Sequence, residues 1–129
     1  MQKTKVCLII KNKEGELLLQ LRDEDPEIGK WVLFGGGVNG GETPQVALAR
    51  EIKEELGYKI KRAEFFKEYV DNGIRQMIYI LCAPVEIEKL QLAEGAAMKF
   101  FAHDDLDNLA IGFNFKEIID DYRKKMIKI

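Results

Sequence analysis

The residues able to do chemistry concentrate in one stretch, where a run of glycines leads into a helix bearing Glu51, Glu54 and Glu55. Successive helical residues rotate by about 100°. With Glu51 at zero, Glu54 falls at roughly −60° and Glu55 at roughly +40°, so the three carboxylates share one face. Leu48, Ile52 and Leu56 form a core-facing stripe beside that face. Like charges four residues apart repel, and anions near a helix C-terminus oppose the macrodipole. A divalent cation reverses both penalties, because carboxylate oxygens are hard ligands suited to Mg²⁺. A plain solvated face is the ordinary alternative for a glutamate-rich helix. The glycines shift the balance. Gly35, Gly36 and Gly37 follow a strand-like segment, and bare backbone there can approach a ligand or offer a carbonyl to a metal.

Two phosphate-binding motifs fail on this stretch. Gly35 to Gly40 satisfies G-x-G-x-x-G literally, but the helix opens later, at Pro44, and the segment after it is basic. A P-loop is excluded because no Gly-Lys-Ser/Thr follows the glycines.

The surrounding elements must position these groups. Lys5–Lys11 and Glu16–Leu21 read as strands around the turn Asn12-Lys13-Glu14-Gly15, forming a hairpin. Trp31–Phe34 reads as a short strand ending in the glycines. Thr43 and Pro44 are N-cap and first residue of a helix running to about Leu56, with Gly57 as its left-handed stop. Asp71-Asn72-Gly73 joins an extended Lys59–Val70 to a return strand Ile74–Pro84. A short strand covers Met98–Ala102. Asn114 and Glu117 form a capping box for a last helix to about Met126, with Phe115, Ile118, Ile119 and Tyr122 facing the core. Strands and helices do not alternate regularly, so the expected class is α+β, a mixed or sandwich-like single domain over 1–129.

Composition narrows the function. The 129 residues carry 20 basic and 22 acidic side chains, for a net charge of −2. No basic excess exists to drive binding of extended nucleic acid, although a single nucleotide in a local pocket is compatible with this balance. Apolar runs are far too short for a membrane-spanning helix, and the N-terminal stretch does not read as a signal peptide. Cys7 and Cys82 sit in apolar strand-like runs and read as buried, reduced thiols. The expectation is a cytoplasmic protein.

From Gly36 to Tyr58 the spacing is Gly36, five residues, Glu42, seven residues, then Arg50-Glu51-Ile52-Lys53-Glu54-Glu55-Leu56-Gly57-Tyr58. This resembles the Nudix box, GX5EX7REUXEEXGU with U aliphatic. Every fixed position matches, and Tyr58 departs only at the final aliphatic one. Upstream, Phe34 stands where many relatives carry proline before the glycines. The resemblance implies a mixed-sheet α/β/α sandwich and hydrolysis of a nucleoside diphosphate linked to another moiety, with Mg²⁺ or Mn²⁺. It implies that Glu54 and Glu55 are metal ligands and that Glu51 is a ligand or the base that orients water. It implies further that a carbonyl at Gly35 or Gly36 completes the metal site and that Arg50 pairs with Glu42. Gly36 and Gly37 are candidates for close approach of substrate. Glu94 is a candidate further carboxylate ligand, or an exposed loop acid.

Other residues keep two readings. Trp31 is a core residue or a base-stacking platform. Asn114 is the N-cap or, by the resemblance, a residue reading a purine edge. His103 reads as a surface or capping residue rather than a base. The acidic loop Asp23–Glu27 reads as solvated. The leading substrate is a nucleoside triphosphate, in a nucleotide-sanitising role. Nucleotide sugars, dinucleoside polyphosphates and capped RNA are alternatives, as is a catalytically silent nucleotide-binding module. The acidic positions that a silent member would be expected to lose are all present. Assembly is open between a monomer and a homodimer.

Overall fold

The computed structural model describes residues 3–93 and 95–126. Among the described residues, two sheets and three α-helices form the domain. The strands are β1 (Lys3–Ile9), β2 (Leu17–Leu21), β3 (Trp31–Val32), β4 (Phe34–Gly37), β5 (Ala63–Asp71), β6 (Ile74–Leu81) and β7 (Ala97–Phe101). The helices are α1 (Pro44–Leu56), α2 (His103–Leu106) and α3 (Phe115–Met126). One sheet has the order β4-β1-β6-β5 and the other β3-β2-β7. The first is mixed: β1 runs parallel to β6, and its other pairings are antiparallel.

The apolar run of β1 is uninterrupted because both of its faces are covered. Cys7 and Ile9 pack with Ile118, Ile119 and Tyr122 of α3. Val6, Leu8 and Ile10 pack with Ala47, Leu48, Ile52 and Leu56 of α1. β2 divides in the same way, with Leu17 and Leu19 on the α3 side and Leu18 on the α1 side. Helices thus cover opposite faces, the expected α/β/α layering.

Local signals place α1 as expected. Thr43 Oγ1 accepts from the Val46 N–H at 3.2 Å, Pro44 opens the helix, and Gly57 ends it at φ 63. The Asn72-Gly73 turn has φ 51 and 73, which suits a two-residue hairpin, and Asp71 pairs with Ile74.

Five expectations are corrected. The first hairpin exists only at its tip: Lys11 bridges Leu17, and the Leu18 N–H donates to the Ile10 carbonyl at 2.9 Å. Beyond that, β1 and β2 part into different sheets, each lying between two other strands. The segment Trp31–Phe34 is broken at Leu33, and β3 and β4 join different sheets. The glycines do not follow the strand but form it, since Gly35, Gly36 and Gly37 pair with Cys7, Val6 and Lys5. Cys82 is exposed, because β6 ends at Leu81 before reaching it, whereas Cys7 is buried as expected. Finally, the Asn114 side chain does not cap α3. It exchanges two hydrogen bonds with the buried Gln76 amide, at 2.6 and 2.8 Å.

Candidate active site

Helix α1 lies against the glycine strand β4, and this contact builds the site. A Cβ at Gly35 would run into the backbone of Val6 and Cys7 on β1. A Cβ at Gly36 would collide with the Glu51 carboxylate. Only glycine at position 35 lets the edge strand lie this close to β1, and glycine at position 36 leaves the space that the Glu51 carboxylate fills.

The three glutamates are not equivalent. Glu55 lies angularly nearest the core stripe of α1 and turns inward, Glu51 is half-buried, and Glu54 is 60% exposed. Glu55 Oε2 accepts from Gln20 Nε2 at 3.4 Å. Its Oε1 is buried without a partner. Burial, and then the nearby charge of Glu51, push the Glu55 carboxyl up to about 7. An unpartnered buried carboxylate oxygen is costly unless something satisfies it.

Arg50 ties the helix to the glycine loop. Its Nε and Nη2 donate to Glu42 Oε2 and Oε1 at 2.7 and 3.0 Å, a two-pronged contact. Nη2 also reaches the Gly37 carbonyl at 2.9 Å, and Nη1 reaches Glu51 Oε1 at 2.9 Å. The Arg50 guanidinium, helped by the Asn39 N–H, holds the Glu42 carboxyl below its ordinary range. One guanidinium therefore sets the spacing of Glu42, Gly37 and Glu51.

A cavity of about 730 Å³ opens over these groups, lined by Gly35, Gly36, Glu51, Glu54 and Glu55 at its acidic part. Val32, Leu33, Phe113 and Phe115 give it an apolar wall, and Lys5 and Arg22 add positive charge. Such a volume suits a small molecule. Burial also pushes the Cys7 thiol on the cavity floor up to about 12, which leaves it a poor nucleophile.

The donor set suits a hard divalent cation: glutamate oxygens, the orphaned Glu55 Oε1 among them, beside the Gly35-Gly36 backbone on the same cavity. Among the described residues, no three acidic, histidine or cysteine side chains already converge as a cage. Glu51 and Glu54 are drawn toward Arg50, at 2.9 and 3.5 Å, while Glu55 turns toward Gln20. Side-chain rotation toward Glu55 is what a bound ion would require.

The remaining sequence candidates fall in different places. Gly37 gives its carbonyl to Arg50 and is not on the cavity wall. Trp31 packs edge-on against Phe101, with ring centroids 4.8 Å apart, and does not line the cavity. Asn114 is occupied by Gln76. Glu94 lies outside the described residues. His103 Nε2 contacts the Gly15 carbonyl at 3.0 Å, joining α2 to the first turn. Asp23 and Glu24, which read as merely solvated, line the cavity, and so does Phe113. Among the described residues, no helix is long and apolar enough to cross a membrane.

A family model described as NUDIX domain matches residues 1–122. The MutT NUDIX hydrolase from Burkholderia pseudomallei is 30% identical, with a TM-score of 0.71 covering 88% of this chain and 90% of that one. The MutT protein from Methanosarcina mazei Go1 shares the fold at a TM-score of 0.84 and 22% identity, over 98% of this chain and 96% of that one. Nucleoside triphosphatase NudI from Escherichia coli O139:H28 is 39% identical over 79 residues, which is 60% of this chain and 56% of that protein. The chain spans just over half the length of the curated relatives it matches.

Proposed function

The chain belongs to the Nudix domain family, and from that premise we propose that it hydrolyses the phosphoanhydride bond of a nucleoside diphosphate linked to another moiety. A nucleoside triphosphate is the leading substrate, in nucleotide-pool sanitising. The observation that carries the proposal is the buried, unpartnered Glu55 Oε1 beside a glycine strand and a second carboxylate, inside a cavity of substrate size. That oxygen is unsatisfied by the protein alone. The nucleoside triphosphatase activity in the name of the NudI relative agrees with the substrate class.

Glu51, Glu54 and Glu55, with a carbonyl of Gly35, would hold Mg²⁺ or Mn²⁺, and Glu94 is a further candidate ligand. Bound there, the cation supplies the charge neutralisation that an anionic diphosphate needs before a nucleophile can approach. The protein's own groups do the positioning. Arg50 holds Glu42, Gly37 and Glu51 in one register, so that the glycine backbone and the carboxylates face the same space. Glu51 acts as a ligand or as the group that orients the attacking water and takes its proton. Gly36 leaves room for the Glu51 carboxylate to do so. The apolar wall accepts the nucleoside and excludes water from part of the cavity.

The test is a panel of nucleoside triphosphates, nucleotide sugars, dinucleoside polyphosphates and capped RNA, scored by kcat/KM with Mg²⁺ or Mn²⁺. Metal-dependent hydrolysis of at least one class is expected, with triphosphates foremost. No turnover on any class with either metal would overturn the reading.

A further inference from the structure

Phe113 is the odd residue of the cavity. Its backbone is left-handed at φ 52, a conformation that costs a bulky side chain free energy. The residue is nevertheless 37% exposed, so it is not a core side chain whose burial explains the conformation. Such outliers persist where their surroundings over-determine them, and they cluster at functional sites.

The surroundings do over-determine this one. The Phe113 N–H donates to Glu27 Oε1 at 3.1 Å, and Glu27 Oε2 pairs with Lys30 Nζ at 2.7 Å. On one side, the Gly112 N–H donates to the Trp31 carbonyl at 2.9 Å. On the other, the Asn114 amide is locked to the buried Gln76. Three separate attachments thus fix the backbone, and the ring they present lies on the wall of the cavity that holds the glutamates. Phe115 supports it edge-on at 5.7 Å. Lys5 Nζ and Arg22 Cζ lie over the ring, 5.7 and 5.5 Å from its centroid, at the ends of long side chains that a ligand can displace. An aromatic face covered only by the ends of such side chains suits a flat, polar-edged heterocycle that takes their place, since any base can stack on such a face.

We propose that Phe113 is the residue against which the substrate's base stacks, and that Glu27 is the positioning residue that holds it there. The inference rests on the nucleotide reading above and names the part of the cavity that recognises the nucleoside. Its test reads binding alone, so it stays distinguishable from a failure of hydrolysis.

The full chain is titrated in excess chelator with a nucleoside 5′-monophosphate and, separately, with ribose 5-phosphate, followed by NMR. The wild type should bind the nucleotide more tightly than the sugar phosphate. Phe113→Gly should weaken nucleotide binding by roughly tenfold or more while leaving ribose 5-phosphate unchanged. Because glycine relieves the left-handed strain, the same variant should melt no lower than the wild type. Phe113→Asn, which also tolerates this backbone, should behave alike. Glu27→Ala should lose part of the nucleotide preference, and Glu27→Gln, which keeps an acceptor oxygen for the Phe113 N–H, should restore it. Wild-type nucleotide affinity in both Phe113 variants, or equal losses for nucleotide and sugar phosphate, would overturn the assignment. So would a wild type that does not distinguish the two ligands.

Discussion

Glu55→Gln gives the sharpest physical test of the acidic face. In the metal-free fold the Glu55 carboxyl ionises at about 7, against an ordinary 4.5, because it is buried beside Glu51. Between those values the unfolded chain has released its proton and the folded chain has not. Stability therefore falls as pH rises through this window, and it is fully present only below the lower value. At roughly 1.4 kcal/mol per pH unit, the window amounts to about 3 kcal/mol. The amide cannot ionise, so in chelator Glu55→Gln should be more stable than the wild type at pH 8, by up to about 3 kcal/mol. The advantage should shrink to nothing near pH 4.5. For a domain of this size that is a difference in Tm of several degrees at pH 8, readable in thermal melts across pH. Saturating Mg²⁺ should reverse the order, since only the wild type keeps the anionic ligand. A Tm difference that does not change with pH, or a variant less stable at pH 8, would refute the buried-carboxylate argument.

Three other perturbations address the scaffold around that carboxylate. Arg50→Lys keeps the charge but loses the two-pronged contact with Glu42, so kcat should fall clearly with only a modest drop in Tm, and Arg50→Ala should be worse on both counts. A cycle of Arg50→Ala with Glu42→Gln should be non-additive in activity and in stability, and strict additivity would dismiss the clamp. Gly36→Ala should melt near the wild type yet lose kcat, because its Cβ displaces only the mobile end of Glu51; unchanged turnover would show that the Glu51 position is unimportant. Asn114→Asp keeps a capping oxygen but removes the donor to Gln76, so it should cost about 1–3 kcal/mol in thermal or denaturant unfolding. A neutral result there would return Asn114 to a capping role.

The sequence announces α1 more clearly than any other element. Thr43, Pro44 and Gly57 are local signals with local causes, and the Leu48, Ile52, Leu56 stripe follows from the helical step alone. The same step orders the glutamates: Glu55, nearest the stripe, is half-buried with its Oε1 sealed from solvent, and Glu54, farthest from it, is the exposed one. Strand partners were not legible. β1 and β2 are apolar on both faces, so no alternation says which neighbours flank them, and a turn between them looks like a hairpin even though the strands part after it. The glycine strand was hidden for the opposite reason, since Gly35 to Gly37 carry no side chain to show a strand pattern. Asn114 preceding a helix with Glu117 three residues on is a sound capping signal, and a long-range partner, Gln76, outcompeted it. Phe113 offered no signal at all, because nothing in a phenylalanine codes for a left-handed backbone held by a distant glutamate.

The measurement that bears most directly on the central claim follows a nucleoside triphosphate by ³¹P NMR with purified protein, first with Mg²⁺ and then in excess chelator. The acidic face of α1, with Glu55 Oε1 left unsatisfied by the protein, predicts cleavage of a phosphoanhydride bond with the cation present. It predicts none in chelator, and a loss of several orders of magnitude in Glu55→Gln. Cleavage at the full rate in chelator, or wild-type turnover in Glu55→Gln at limiting Mg²⁺, would contradict the account.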